Sequence, residues 1–136
     1  MKKAKSVAQL KKEADKYWSR YIRYRDGKFD HGAWYSQCIT CQRWIPLAQC
    51  QAGHFVSRRV NSLRFDEENV NAQCISENMF KQGDQYNYAI QLDLKYGDGT
   101  AKKLHDRRFE THKFTAQELL DIIAEAKENI LSMETK

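Results

Sequence analysis

Three stretches decide how this chain is read: C-I-T-C at residues 38–41, A-G-H-F at 52–55 and N-V-N-A-Q-C-I-S-E-N at 69–78. The first places two thiols two residues apart, a spacing that lets both reach one tetrahedral ion. The second sets His54 directly after a glycine. The third supplies Asn69, fifteen residues after His54, then Cys74, five residues further on, and Asn78. Cys38, Cys41 and Cys74 are therefore three candidate ligands for a structural zinc. A second Cys-x-x-Cys would place the fourth ligand at position 77, which here is Glu77. Carboxylate oxygen also binds zinc, so three thiolates and one carboxylate make an acceptable set. Cys50 competes for the fourth place; its alternative reading is a small buried apolar residue.

Outside these stretches the chain looks like helical scaffold and positive charge. It has 136 residues, a length that argues for one domain. Its 23 Lys and Arg against 18 Asp and Glu give a net charge of +5. That balance favours an anionic partner, most commonly nucleic acid. No run approaches the roughly 20 apolar residues of a membrane span, so no membrane partner is expected. The start, M-K-K-A-K-S-V-A-Q-L, has charge without an apolar core, which is not the pattern of a secretory signal. The expectation is a cytoplasmic protein. In a reducing compartment Cys-x-x-Cys reads as a metal or redox motif rather than a disulfide, and no βαβ pattern supports the redox reading.

Periodicity predicts the scaffold. Val7, Leu10, Ala14, Tyr17, Trp18, Tyr21 and Tyr24 recur at spacings of three and four, predicting a helix from 4 to about 25. Residues 26–37 read as a turn-rich connector running into a short strand at Trp34 and Tyr35, with Trp44 to Ala48 continuing it beyond the cysteine pair. That puts the pair at the tip of a hairpin. A second extended segment is expected near residues 54–56, a loop over 61–66, and a helix from about Cys74 to Lys81. Tyr86 to Tyr96 predicts a helix closed by Gly97. Thr100 is read as the cap of a short helix over 101–109. Thr115 and Glu118 form a capping box that opens a final helix through Ile130.

The order Cys-x-x-Cys, His, Asn, Cys, Asn resembles the HNH, or ββα-metal, nucleases, and more closely the NinG/Rap family of lambdoid-phage recombination endonucleases. The residues that carry the likeness are C-I-T-C (38–41), A-G-H-F-V-S-R (52–58), R-F-D-E-E-N-V-N-A-Q-C (64–74), N-M-F-K-Q-G-D-Q-Y-N-Y-A-I (78–90) and L-K-Y-G (94–97), with Y-I-R-Y-R-D (21–26) and K-F-T-A-Q-E-L (113–119) beside them. The resemblance implies an α+β fold with a ββα-metal core and zinc knuckle over 34–82, an N-terminal helix over 1–26 and a helical part over 84–136. It implies metal-dependent cutting of branched double-stranded DNA such as Holliday junctions, in the bacterial cytoplasm. By position, His54 corresponds to the general base, Asn69 to the asparagine that orients it, and Asn78 to the helix residue that ligates a catalytic Mg2+ or Mn2+. The family usually has cysteine where Glu77 stands, and Glu77 leaning into the catalytic ion is the alternative. Gly53 offers no acidic ligand before the histidine, so His54 itself is a second candidate for that ion.

Seven basic residues are candidate DNA contacts. Arg58, Arg59 and Arg64 lie between His54 and Asn69, where guanidinium groups can clamp phosphates. Lys102, Lys103, Arg107 and Arg108 form a second cluster. The plainer reading gives Arg58, Arg59 and Arg64 a solvated loop with a carboxylate partner such as Asp66, Glu67 or Glu68, and leaves Lys102, Lys103, Arg107 and Arg108 solvated at the surface. His31, His105 and His112 carry no motif spacing. Cutting both arms of a junction needs two active sites, so a homodimer is expected, with the terminal helices as its candidate contact. The competing class is a zinc-knuckle module that binds DNA without cutting it.

Overall fold

The computed structural model describes residues 3–135. Helix α1, Val7–Arg25, opens on a capping box: Ser6 Oγ accepts from Gln9 N, and Gln9 Oε1 accepts from Ser6 N. The last helix, α5, Ala116–Glu134, opens on the capping box predicted at Thr115 and Glu118. The two lie side by side and run in the same direction. Leu10 and Ala14 pack with Leu119 and Ile123, and further along Tyr21 and Ile22 pack with Ala126 and Ile130. Arg20 closes the far end on Glu134 at 3.0 Å. The apolar stripes expected to form a dimer contact are thus largely spent within one chain.

Between these helices lie two small antiparallel sheets. The first is a meander of β1 (Gly27–Asp30), β2 (Ala33–Gln37) and β3 (Trp44–Pro46). Residues 26–37 are therefore a hairpin rather than a connector. Its two-residue turn puts His31 at φ 48° and Gly32 at φ 79°, the left-handed pair that matches strand twist. The second sheet pairs β4 (Cys50–His54) with β5 (Val70–Cys74), in register from Cys50 opposite Cys74 to His54 opposite Val70. Between them the chain makes one helical turn, α2 (Asn61–Arg64), in the stretch read as loop. After β5 come a π-helical turn (Ser76–Phe80) and helices α3 (Gln85–Tyr96) and α4 (Thr100–Asp106).

Two expectations fail here for physical reasons. V-N-A-Q-C at 70–74 is a strand, not the approach to a helix. All five of its residues are buried, so it lacks the alternation that marks a half-exposed strand. Thr100 is not the cap of α4. It is the first helical residue, and its Oγ1 donates back to the Gly97 carbonyl, while the Asp93 carboxylate accepts from Ala101 N at 2.9 Å. α4 also stops at Asp106 instead of reaching Phe109.

One buried carboxylate ties α1 to β5 and α3. Asp26 Oδ1 accepts from Arg25 Nε at 2.9 Å and Lys95 Nζ at 3.0 Å, and its Oδ2 accepts from Ala72 N at 2.8 Å. Burial opposes the charge on Asp26, but these donors outweigh it and hold the carboxyl below the usual carboxylate range. Asn71 joins the network, its Oδ1 accepting from Arg25, Lys95 and Tyr96. Asn71, a polar residue of β5, thus finds its partners inside the protein, as buried polar groups generally do.

Candidate functional site

The thiols converge as the spacing predicts. Cys38 and Cys41 sit in the turn between β2 and β3, Cys74 ends β5, and Glu77 lies in the π-helical turn. One ligand atom from each lies within 4.8 Å of the others. Around a zinc with Zn–S bonds of about 2.3 Å, tetrahedral ligands stand about 3.7 Å apart, so small side-chain movements close the set. Cys74 N and Cys41 N both point at Cys38 Sγ, at 3.3 and 3.5 Å. Backbone amides aimed at a sulfur favour its thiolate form. Glu77 is only 7% exposed, and among the described residues no Lys or Arg pairs with it. Its neighbours are Thr40 Oγ1 and Cys38 Sγ. A buried carboxylate without a cation is costly unless a metal compensates it. The cluster can thus hold a metal ion such as zinc. Burial pushes the Cys38 thiol up to about 12, so metal binding must release protons.

This geometry removes both alternatives for the fourth ligand. Cys50 lies outside the cluster, buried, with its sulfur directed at the Ser36 carbonyl. Glu77 faces the cysteines and does not line the cleft that contains His54.

That cleft, about 780 Å3, is bounded by α1, β4 and the segment from the π-helical turn to α3. His54 ends β4 on its floor, with Nε2 at 3.0 Å from the Arg64 carbonyl oxygen. A carbonyl only accepts, so Nε2 carries the proton and Nδ1 keeps the free lone pair. Burial holds the imidazole below its ordinary pKa, so the ring stays neutral. Asn78 lines the same cleft, its Nδ2 donating to Gln51 Oε1 at 2.6 Å while its Oδ1 receives no hydrogen bond from a described residue.

Asn69 makes no hydrogen bond to the imidazole. It is fully buried. Its Oδ1 accepts from Val56 N at 2.8 Å, and its Nδ2 donates to the Val56 and Leu63 carbonyls, both at 3.0 Å. It closes the loop between β4 and β5 on itself, and that loop presents the Arg64 carbonyl to His54. The direct hydrogen bond to the imidazole expected of an orienting Asn69 is not formed.

Three further residues carry no signal in the sequence. Among the described residues Asp15 on α1 is the one carboxylate lining the cleft, and it grips the Arg64 guanidinium, with Oδ1 at 2.8 Å from Nε. Tyr88, wholly buried in α3, donates to the Gly53 carbonyl at 2.6 Å and so fixes the backbone before His54. Gln73 explains why that position is glycine: a Cβ on Gly53 would sit 2.3 Å from Gln73 Oε1 and 3.1 Å from Gln73 Cβ.

The seven basic candidates divide. Arg64 is bound to Asp15, Lys102 to Asp106, and Arg107 to Asp66 and Glu110. Among the described residues, Arg58, Arg59, Lys103 and Arg108 have no acidic partner within 4.0 Å. Arg58 lines the cleft beside His54.

Fold and site together describe a small α+β protein with a cysteine-rich cluster that can hold a metal ion and a polar cleft lined by one histidine. Residues 1–135 match the family described as Bacteriophage Lambda NinG protein, and the chain belongs to that family. Relatives called "Protein ninG" from Escherichia phage 933W and Salmonella phage P22 are each 28% identical over 120 residues, covering 88% of this chain and 55% of theirs. The one from Escherichia phage lambda is 28% identical over the same share of this chain and 54% of its own. The chain thus spans about half the length of these relatives. No solved structure matches it. Among the described residues, no helix is long and apolar enough to cross a membrane.

Proposed function

We propose that this protein is a metal-dependent, structure-selective DNA endonuclease of the HNH type, acting on branched DNA such as Holliday junctions in phage recombination. The observation that carries this reading is His54: a neutral, half-buried imidazole whose Nε2 is committed to the Arg64 carbonyl and whose Nδ1 is left for a cleft that also holds Arg58 and Asn78. β4, β5 and α3 supply two strands and a helix in the order of a ββα-metal core, with His54 at the end of the first strand.

In this reading a water molecule gives its proton to His54 Nδ1 as its oxygen attacks the scissile phosphorus. The bond to the leaving oxygen breaks, and that oxygen takes a proton from solvent. Arg58 neutralises a phosphate oxygen. Asn78 Oδ1 would hold a Mg2+ or Mn2+ ion at the cleft, and such an ion would supply charge neutralisation at the phosphate. His54 has one free nitrogen, so it serves as base or as metal ligand, not both. We assign it the base. The zinc cluster, in turn, fixes the turn before β3 to the end of β5 and so holds the cleft's second wall.

One observation favours a second reading, a zinc-knuckle module that binds DNA without cutting: Asp15, the only carboxylate among the described residues that line the cleft, is engaged by Arg64. His54→Ala separates the two. For the endonuclease, cutting falls by about 10²–10⁴-fold or vanishes, while DNA affinity and thermal stability hold. For the module, the unaltered protein shows no cutting to lose.

A further inference from the structure

The cleft does not end at the segment before α3. A second groove of about 310 Å3 begins on its far side, and Phe55, Ser57 and Gln85 line both. The outer groove is closed by His105, Arg108 and Phe109, and none of its lining residues is acidic. Phe109 is 79% exposed, a large apolar ring left in water beside a groove that shares three lining residues with the His54 cleft. The Arg108 guanidinium carbon lies 4.3 Å from the centre of that ring, and Arg108 Nη1 donates to the His105 carbonyl at 2.8 Å. The arginine is therefore held on one face of the phenyl ring, and no carboxylate of the described residues lies within 4.0 Å of it.

An exposed ring backed by an unneutralised guanidinium suits one ligand class well. A nucleobase stacks on a phenyl face regardless of its sequence, and its phosphate pairs with the arginine. A fully paired duplex keeps its bases stacked on each other and cannot use the ring. We propose that this outer groove holds an unpaired nucleotide of the bound DNA, its base on Phe109 and its phosphate against Arg108, a step away from the strand in the His54 cleft. The proposal rests on the DNA-binding reading above and adds to it a device for preferring branch points, where bases are most easily unpaired. It also divides the second basic cluster by role, since Arg108 faces the nucleotide while Lys102 and Arg107 are tied to Asp106, Asp66 and Glu110.

The test uses the full chain and two DNAs of matched sequence, a blunt duplex and the same duplex with a short unpaired stretch carrying 2-aminopurine. Wild-type protein is expected to quench the 2-aminopurine on binding. Phe109→Ala is expected to weaken binding to the unpaired substrate by about tenfold, to abolish the quenching and to leave duplex affinity unchanged, while Phe109→Trp restores both. Equal affinities of Phe109→Ala and wild type for the unpaired substrate, or equal losses on both DNAs, would overturn the proposal. If wild type cuts a junction and Phe109→Ala cuts with the same selectivity, the groove assignment falls and the nuclease reading stands. If Phe109-dependent quenching appears without any cutting, the groove stands and catalysis by His54 falls. Binding to neither DNA overturns both.

Discussion

The cysteine cluster and the His54 cleft lie at opposite ends of the same two strands, and they are built on opposite plans. The four ligand atoms of the cluster lie within 4.8 Å of one another, and among the described residues Glu77 has no cationic side chain to pair with it. In the cleft the side chains satisfy one another: Asp15 holds Arg64, Asn78 holds Gln51, and His54 leans on a carbonyl. The first arrangement can hold an ion at its centre and, with the ion bound, should fail as a unit. The second leaves one ring nitrogen and one amide oxygen free, and should fail piecemeal.

Cys74→Ser breaks the comparison most violently. Structural zinc contributes several kcal/mol or more to small domains, so the variant should bind less than one equivalent of zinc and lose more than about 10 °C in Tm. A Tm within about 2 °C of wild type at full zinc occupancy would remove Cys74 from the ligand set.

Asn69→Ala comes next. It strips partners from three backbone groups in a buried loop, at about 3 kcal/mol. Because that loop presents the Arg64 carbonyl, cutting should fall together with stability, whereas His54→Ala should lower cutting alone. Urea unfolding beside cleavage rates checks the pairing. A stable Asn69→Ala variant with lost activity would instead give Asn69 a direct chemical role.

Stability at mildly acidic pH probes the burial of His54. Burial lowers its pKa in the folded state below the unfolded value of about 6.5. Above about 6.5 both states are neutral there and the residue adds no pH dependence. As pH falls below 6.5 the unfolded chain takes up the proton first, so stability declines until the folded pKa is passed. Urea midpoints from pH 8 to 5 should show this slope, and His54→Gln should remove it. An unchanged slope would mean that His54 titrates as an exposed imidazole does.

The smallest effect belongs to Asp15→Asn. The pair with Arg64 is partly exposed, so about 1 kcal/mol is at stake. Cutting should drop by less than tenfold, with zinc content and Tm nearly unchanged. A loss as deep as that of His54→Ala would place Asp15 in the reaction itself.

The same contrast explains what can be read from the sequence. The cluster is legible because Cys38 and Cys41 announce themselves by local spacing and Cys74 and Glu77 complete the pattern. The terminal helices are legible because Ser6 and Thr115 cap long amphipathic runs. The cleft is only half legible. His54 and Asn78 stand out, but the partnership of Asp15 with Arg64 spans 49 residues and leaves no local trace. Strand β5 is hidden because Asn71 and Gln73 are buried by networks that reach α1, α3 and the knuckle, which makes an interior strand read as polar. Gly53 looks like a missing metal ligand. It is glycine because Gln73 fills the space a Cβ would need.

The most direct measurement is cleavage of an end-labelled four-way junction beside a linear duplex of matched sequence, with Mg2+ and with EDTA. Symmetric cuts are expected on the junction, with none on the linear duplex and none in EDTA or with His54→Ala. Symmetric cutting would come with sedimentation at twice the 16.0 kDa chain mass. Tight binding to the junction with no cuts under any divalent ion would contradict the endonuclease reading and leave a zinc-knuckle DNA-binding protein in its place.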